Sequence, residues 1–309
     1  MILDLLILFF SLYLIIKGAT LATKHSAKLA ENFNVSKYVV SFIVVAFISI
    51  LPETLISINA AIKGIPEFGL GTLFGANIAD LTIVFTAIIF AAGRGIKIES
   101  RVLHNVHLYP LYLLLPIIFG LNGHYSRIEG VALILCGGIF YYFVFKNGKN
   151  DAVTFRNSEG KFKHFSLLIF SMAILLLGSH FVVLSATGLA EAMNITPILI
   201  GLLVVGLGTT MPELFYSLKA VRQNDDSMAV GDVLGTVLAD ATIVVGILAF
   251  LNPFFFPVKI IYVTGIFMVI ASLILLRFMR SGRVVSRTEA FLLFLFWILY
   301  VIIELLINS

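Results

Sequence analysis

The chain of 309 residues has a single cysteine, Cys136, so no disulfide framework holds it together, and its six histidines form no metal-binding cluster with it. Charge is scarce as well. Asp, Glu, Lys and Arg make up 12 % of the residues, against 60 % apolar residues and a mean hydropathy of +1.06. A soluble domain needs a polar surface that this composition cannot supply, and no polar stretch is long enough for a separate soluble catalytic unit. There is no GxxxxGK[ST] phosphate loop, which argues against ATP-driven pumping by this chain. The net charge of +4 is spread over short loops, which is the wrong distribution for a nucleic-acid face. Met1 to Ile16 has no basic n-region, carries Asp4, and runs on without a small-residue cleavage site. It reads as a first span rather than a removable signal.

What the sequence does have is apolar length. Runs long enough for a ~30 Å hydrocarbon core recur from end to end. They predict ten spans, at 2–23, 36–62, 69–92, 104–121, 127–145, 165–189, 196–220, 228–251, 257–278 and 288–307. Seventeen Lys and Arg fall in one set of loops and only Lys63, Arg127 and Lys259 in the other. By the positive-inside rule the rich set is cytoplasmic, which puts both termini outside the cell membrane. The polar segment 147–164 then reads as a cytoplasmic linker between two five-span halves, 1–146 and 165–309.

The halves are related. At an offset of 160 residues, Pro52-Glu53 falls on Pro212-Glu213, Gly71 and Gly75 on Gly231 and Gly235, and Ala79-Asp80 on Ala239-Asp240. From Lys28 to Asp80 the match needs no gap, and 14 of 53 positions are identical. Shared composition would align some Leu, Ile and Val, but not the Pro-Glu and Ala-Asp pairs. Five spans is an odd number, so the second half enters the membrane inverted. The predicted fold class is therefore an all-α membrane protein of ten transmembrane helices in two inverted five-helix repeats, a transporter architecture with its site at the repeat interface.

Glu53, Asp80, Glu213 and Asp240 all fall near mid-depth in their spans. A lone charge there costs ~2.5–3.5 kcal/mol, so four would cost on the order of 10–14 kcal/mol if nothing compensated them. The spans offer only Lys17 as a cation. The acids must be partly protonated or share bound cations, and intramembrane acids are functional by default. Pro52 and Pro212 each remove a backbone donor beside a buried glutamate. The carbonyls around Ala46–Ser49 and Gly206–Thr209 are thereby offered to a cation. A set of hard oxygens this large suits Ca²⁺, with six to eight oxygen ligands, better than Mg²⁺.

These motifs resemble a known signature. Ser49-Ile50-Leu51-Pro52-Glu53 and Gly208-Thr209-Thr210-Met211-Pro212-Glu213 resemble the α-repeats of the sodium/calcium exchanger family, in the wider cation/calcium antiporter superfamily. Gly75-Ala76-Asn77-Ile78-Ala79-Asp80 and Gly235-Thr236-Val237-Leu238-Ala239-Asp240 look like the second part of that signature. The resemblance covers essentially the whole chain. It implies Glu53 and Glu213 as central Ca²⁺ ligands, supported by carbonyls near Ala46 and Gly206 and by hydroxyls at Ser49 and Thr209. Thr210, Asn77 and Thr236 complete the candidate metal set. The resemblance also implies that spans one and six slide over the rest, which Gly18 and Gly178 would permit by close helix contact.

This sequence departs from the family pattern at Ile48 and Ile50, where a glycine and a hydroxyl residue are usual, and at Ala76, where a serine is usual. Asp80 and Asp240 are both acids, whereas many family members carry an amide at one or both positions. That combination favours proton coupling, or a K⁺ co-ligand, over an ordinary Na⁺ site.

The leading expectation is a secondary antiporter, not an enzyme. It exchanges Ca²⁺ for Na⁺ or H⁺ by alternating access, with no cofactor and no partner beyond the ions and the bilayer. The alternatives are an H⁺-coupled or K⁺-assisted divalent exchanger, a transport-deficient relative, and an intramembrane aspartate enzyme using Asp80 and Asp240. Weaker signals are His180 as a proton relay or a packing residue, Asp232 as an interfacial cap or an ion-entry marker, and Ser57 and Asn77 as site oxygens or interhelical hydrogen bonders. Phe254 to Phe256 read as lipid contacts or interface anchors.

Overall fold

Inside a bilayer only a helix or a closed barrel satisfies its own backbone hydrogen bonds, so apolar runs punctuated by Gly and Pro fold as helices. The computed structural model describes residues 2–30, 37–99, 102–103, 107–148, 161–195 and 200–308, and these are overwhelmingly helical. Most of the expected linker 147–164 lies outside the described residues.

Helix α1 (Ile2–Ala30) opens the chain. A π-helical turn, Val40–Val45, then leads into α2 (Ala46–Ser49), and beyond Ile50 the chain continues as α3 (Leu51–Ile62). Helices α4 (Pro66–Ala79) and α5 (Phe85–Ala92) flank a second π-helical turn, Asp80–Val84. Next come α6 (Tyr109–Phe119) and α7 (Arg127–Gly148). The order then recurs: α8 (Lys161–Met193), a π-helical turn at Gly201–Val205, α9 (Gly206–Thr209) and α10 (Met211–Arg222). Helices α11 (Asp226–Ala239) and α12 (Val245–Leu251) flank the π-helical turn Asp240–Val244. Last are a π-helical turn at Ile261–Gly265, α13 (Ile266–Arg280) and α14 (Arg287–Asn308). Among the described residues six helices are long and apolar enough to cross a membrane. A seventh is the pair Ser41–Ser49 and Leu51–Ile62, bent by 41° at its break.

The 160-residue offset extends beyond the sequence match. The breaks at Ile50 and Thr210 share one backbone conformation, with ψ of −6° and −2°. Ser126 and Ser286 open α7 and α14 with the same capping box. The Ser126 N–H and hydroxyl each donate to Glu129 at 2.7 Å, and those of Ser286 to Glu289 at 2.8 Å.

Four two-residue strands, β1 (Ile96–Lys97), β2 (His124–Tyr125), β3 (Phe254–Phe255) and β4 (Val284–Val285), pair across the halves. β1 runs antiparallel to β4 and β2 to β3, at opposite ends of α13. This pairing divides the Phe254–Phe256 stretch. Phe255 points outward, as expected for a lipid or interface contact, while Phe254 and Phe256 pack against Tyr125 with ring centroids 5.6 and 4.9 Å away.

Apolar packing forms two clusters. The larger runs through α4 to α7 and α11 to α14. The smaller joins Leu8, Leu12 and Ile15 of α1 to Val182, Val183 and Ala186 of α8, together with Ile56, Ala60 and Phe68. Gly178 lets α8 approach α1 closely, since a Cβ there would lie 2.6 Å from the Ile15 side chain. The opposite face of α1 leaves Phe9, Phe10 and Tyr13 exposed, as lipid contact requires.

Candidate cation site

The site is framed where the broken segment of each half crosses the third segment of the other. A Cβ on Gly235 of α11 would fall 2.2 Å from the Phe42 carbonyl oxygen, and one on Gly206 of α9 2.9 Å from the Ala76 nitrogen. Only glycine admits backbones at that range. Helices α4 and α11 are buried on all sides as a result, and their C-terminal ends carry Asp80 and Asp240 to the middle of the molecule.

All four predicted acids are brought inside. Glu53 is 1 % exposed, and Asp80, Glu213 and Asp240 are fully buried. Asp80 lies within electrostatic reach of Glu53, Glu213 within reach of Glu53 and Asp80, and Asp240 within reach of Glu53 and Asp80. Both oxygens of Asp80, Glu213 and Asp240, and Oε2 of Glu53, find no hydrogen-bond donor among the described residues. Buried polar atoms are almost always partnered, so this many orphaned acceptors mark a place for protons or cations. Among the described residues, however, no three acidic, His or Cys side chains close on one point as a metal cluster. The acids are grouped, not converged.

Hydroxyls, carbonyls and an amide fill the spaces between them. Pro52 and Pro212 cannot donate to the carbonyls four residues back, those of Ile48 and Gly208. Both lie within the expected stretches, and of the two carbonyls the resemblance names, Ala46 O accepts the Ile50 N–H at 3.0 Å and Gly206 O accepts the Thr209 hydroxyl at 3.1 Å. Each keeps one lone pair for an ion. The Thr209 hydroxyl also lies within hydrogen-bonding reach of Glu53, so its one proton can serve either acceptor. Thr210 donates to Leu207 O at 2.9 Å, whereas the buried Thr236 hydroxyl and the Asn77 Oδ1 have no partner among the described residues. The Asn77 amide reaches across to Met268 Sδ at 3.5 Å. Each aspartate opens a π-helical turn, an element concentrated at functional sites because it leaves carbonyls out of the regular ladder.

Several weaker signals resolve between their alternatives, and one is corrected. His180 sits on the outward face of α8 against Phe181, away from the acids, so it is no relay to them. Lys17 is exposed and lies 5.5 Å over the Tyr13 ring, so it compensates none of the buried charge. Ser57 binds the Gly69 carbonyl at 3.2 Å, and its counterpart Ser217 binds that of Ala229 at 3.3 Å; both join neighbouring helices and neither faces an ion. Asp232 is no interfacial cap. It is fully buried, and Ser49 donates to its Oδ1 at 3.3 Å. The cap of α11 lies further out, where Arg94 grips both oxygens of Asp226 at 2.7 Å. The sequence signal for Asp232 was its place six residues into α11, about 9 Å from the helix start. Glu304 is a further buried acid that the sequence reading passed over. It lies apart from this group, bonded to Thr264 beside Tyr300.

Paired broken helices with buried acids at their crossing define a polytopic ion carrier. The comparisons with known proteins make the class specific. The family model for sodium/calcium exchanger protein matches residues 3–146 and again 163–306, so the chain belongs to that family of cation antiporters. It is 30 % identical to the uncharacterized membrane protein MJ0091 of Methanocaldococcus jannaschii, over 70 % of this chain and 71 % of that one. It is 25 % identical to the sodium/calcium exchanger MaX1 of Methanosarcina acetivorans, over 97 % of this chain and 98 % of that one. Among solved structures it is similar to the sodium-calcium exchanger NCX_Mj soaked with Na⁺ and Sr²⁺, with a TM-score of 0.72 and 26 % identity over 96 % of this chain and 97 % of that one.

Proposed function

We propose that this chain exchanges Ca²⁺ for Na⁺ across the cell membrane by alternating access. The observation that carries the reading is the buried group Glu53, Asp80, Glu213 and Asp240, two acids from each half, whose oxygens lack donors among the described residues. Charge of this kind is tolerable at mid-membrane when protons or bound cations neutralise it, as in an ion carrier. Glu53 and Glu213 are the central Ca²⁺ ligands. The hydroxyls of Ser49, Thr209, Thr210 and Thr236, the Asn77 amide and the Ala46 and Gly206 carbonyls supply the remaining oxygens. Na⁺ entering the same oxygens displaces Ca²⁺ and couples the two fluxes without ATP.

In this reading the chain has ten spans in two inverted halves, 1–146 and 165–309, with both termini outside and the 147–164 linker in the cytoplasm. Both halves match the same family model, and their breaks, π turns and capping boxes recur at one offset, which supports the repeat. Helices α1 and α8 pack with each other in a cluster of their own, which supports their moving together over the remainder. The similarity to MaX1 and NCX_Mj, both sodium/calcium exchangers, supports Na⁺ as the exchanged ion.

The test is ⁴⁵Ca²⁺ uptake into liposomes carrying the purified protein, first under an outward Na⁺ gradient and then under a pH gradient. Uptake driven by Na⁺ is the expected result. Uptake driven by pH alone would transfer the coupling to protons, as the double aspartate and Ala76 favour. No uptake under either gradient would overturn the exchange reading.

A further inference from the structure

The two halves do not present the same groups to the ions. Ser49 and Thr209 occupy corresponding positions, as do Ala76 and Thr236, and Thr72 and Asp232. One corner of the site, where α2 crosses α11, holds Ser49 and Asp232 in direct contact. The opposite corner, where α9 crosses α4, holds Thr209 and Thr72, with the Ala76 nitrogen against Gly206. All six residues are buried. The Thr209 corner has two hydroxyls and no charge, with Thr72 satisfied locally by Phe68 O at 3.0 Å and Thr209 within reach of Glu53. At the Ser49 corner the matching hydroxyl has turned away from the glutamate. It donates to Asp232, and Glu213 keeps both oxygens without a donor among the described residues.

Asp232 cannot be a mere helix cap at this depth, and its Oδ2 also lacks a partner among the described residues. Asp80 and Glu213 lie within its electrostatic reach, and the phenols of Tyr216 and Tyr141 are its other ionisable neighbours. Asp240 is grouped instead with Glu53 and Asp80. Among the described residues no three acids meet at one point, and a single divalent ion carries too little charge to balance five carboxylates. The surplus of this corner over the other is one negative charge. One singly charged ion balances it, and the Asp232 and Ser49 side chains supply three oxygens, against the six to eight that Ca²⁺ takes.

We propose that Asp232, with the Ser49 hydroxyl, holds a monovalent cation of the Na⁺ class at a second site. That site lies beside the central one, about 9 Å along α11 from the Arg94–Asp226 pair, and Thr72 stands at the corresponding place in the first half. The proposal rests on the reading of the central group as a cation site and assigns to Asp232 a ligand role that the family signature does not contain.

Binding of ²²Na⁺ and of ⁴⁵Ca²⁺ to the purified full chain tests it directly. Asp232→Asn keeps the shape and removes the charge, and Asp232→Thr copies the residue at position 72. Both variants should weaken Na⁺ binding about tenfold while Ca²⁺ binding shifts less than about twofold, which also shows that they are folded. Unchanged Na⁺ binding in either folded variant would overturn the proposal. So would equal loss of Na⁺ and Ca²⁺ binding, or the absence of Na⁺ binding in the wild type. Asp232-dependent Na⁺ binding without gradient-driven Ca²⁺ uptake would sink the exchange reading and leave this site standing.

Discussion

The Ser49 corner and the Thr209 corner arise from the same stretch of sequence repeated 160 residues apart, yet they differ in what they can hold. The second half keeps Gly208, Thr209, Thr210 and Thr236, a run of small and hydroxyl residues. The first half has Ile48, Ser49, Ile50 and Ala76 in their places, so three of its four positions carry no side-chain oxygen. Asp232, from the second half, brings a carboxylate to Ser49. The backbone hardly registers the difference, since breaks and π turns match in both halves. Symmetry of the frame and asymmetry of the ligands are thus separate properties. The frame fixes where ions sit, and the side chains decide which ion each place accepts.

The largest expected effect comes from disturbing the frame. Gly235→Ala drives a methyl group to 2.2 Å from the Phe42 carbonyl, and Gly206→Ala to 2.9 Å from the Ala76 nitrogen. Both contacts are with backbone that cannot rotate away. The first substitution should cost more than about 3 kcal/mol and the second nearer 1–2 kcal/mol, read as loss of thermal stability of the purified protein. Equal losses would mean that the crossings are interchangeable.

Removing the breaks comes next. Pro52→Ala and Pro212→Ala restore donors to the Ile48 and Gly208 carbonyls and straighten the helix beside each glutamate. Ca²⁺ uptake in liposomes should fall about tenfold in each with the fold retained. A loss in only one variant would assign the working break to that half.

A smaller effect is expected at the ligands themselves. Ser49→Ala removes the hydroxyl beside Asp232 and should weaken Na⁺ binding about threefold, measured with ²²Na⁺. No change would place the Na⁺ away from that corner. The smallest effect belongs to the caps. Ser126→Ala and Ser286→Ala each remove one of two matched capping boxes. Each should cost about 1 kcal/mol, equally, without altering Ca²⁺ uptake.

The sequence carried more of the frame than of its details. Pro52-Glu53 and Ala79-Asp80, with their counterparts, were visible because a proline or an acid in an apolar run is costly and so stands out. All four acids prove to be buried together. The π turns were hidden, because one extra residue in a helical turn leaves the apolar pattern intact. Asp232 was misplaced for a related reason: its distance from the helix end is right for a cap if the loop is taken as longer. Only the crossing of α2 over α11 shows that it faces Ser49. The ribbons between β1 and β4 and between β2 and β3 join residues far apart in the chain, which no local pattern can reveal. Ser49 itself was identified by its resemblance to the family signature, which says nothing about the partner it takes here.

The central claim is that one Ca²⁺ is held jointly by the two halves. Equilibrium ⁴⁵Ca²⁺ binding to the wild type, Glu53→Gln and Glu213→Gln tests it most directly. The account predicts one high-affinity Ca²⁺ per chain in the wild type, and its loss by about 100-fold or more in either variant alone. Retention of high-affinity binding when one glutamate is removed, or two independent Ca²⁺ sites each abolished by a different variant, would contradict it.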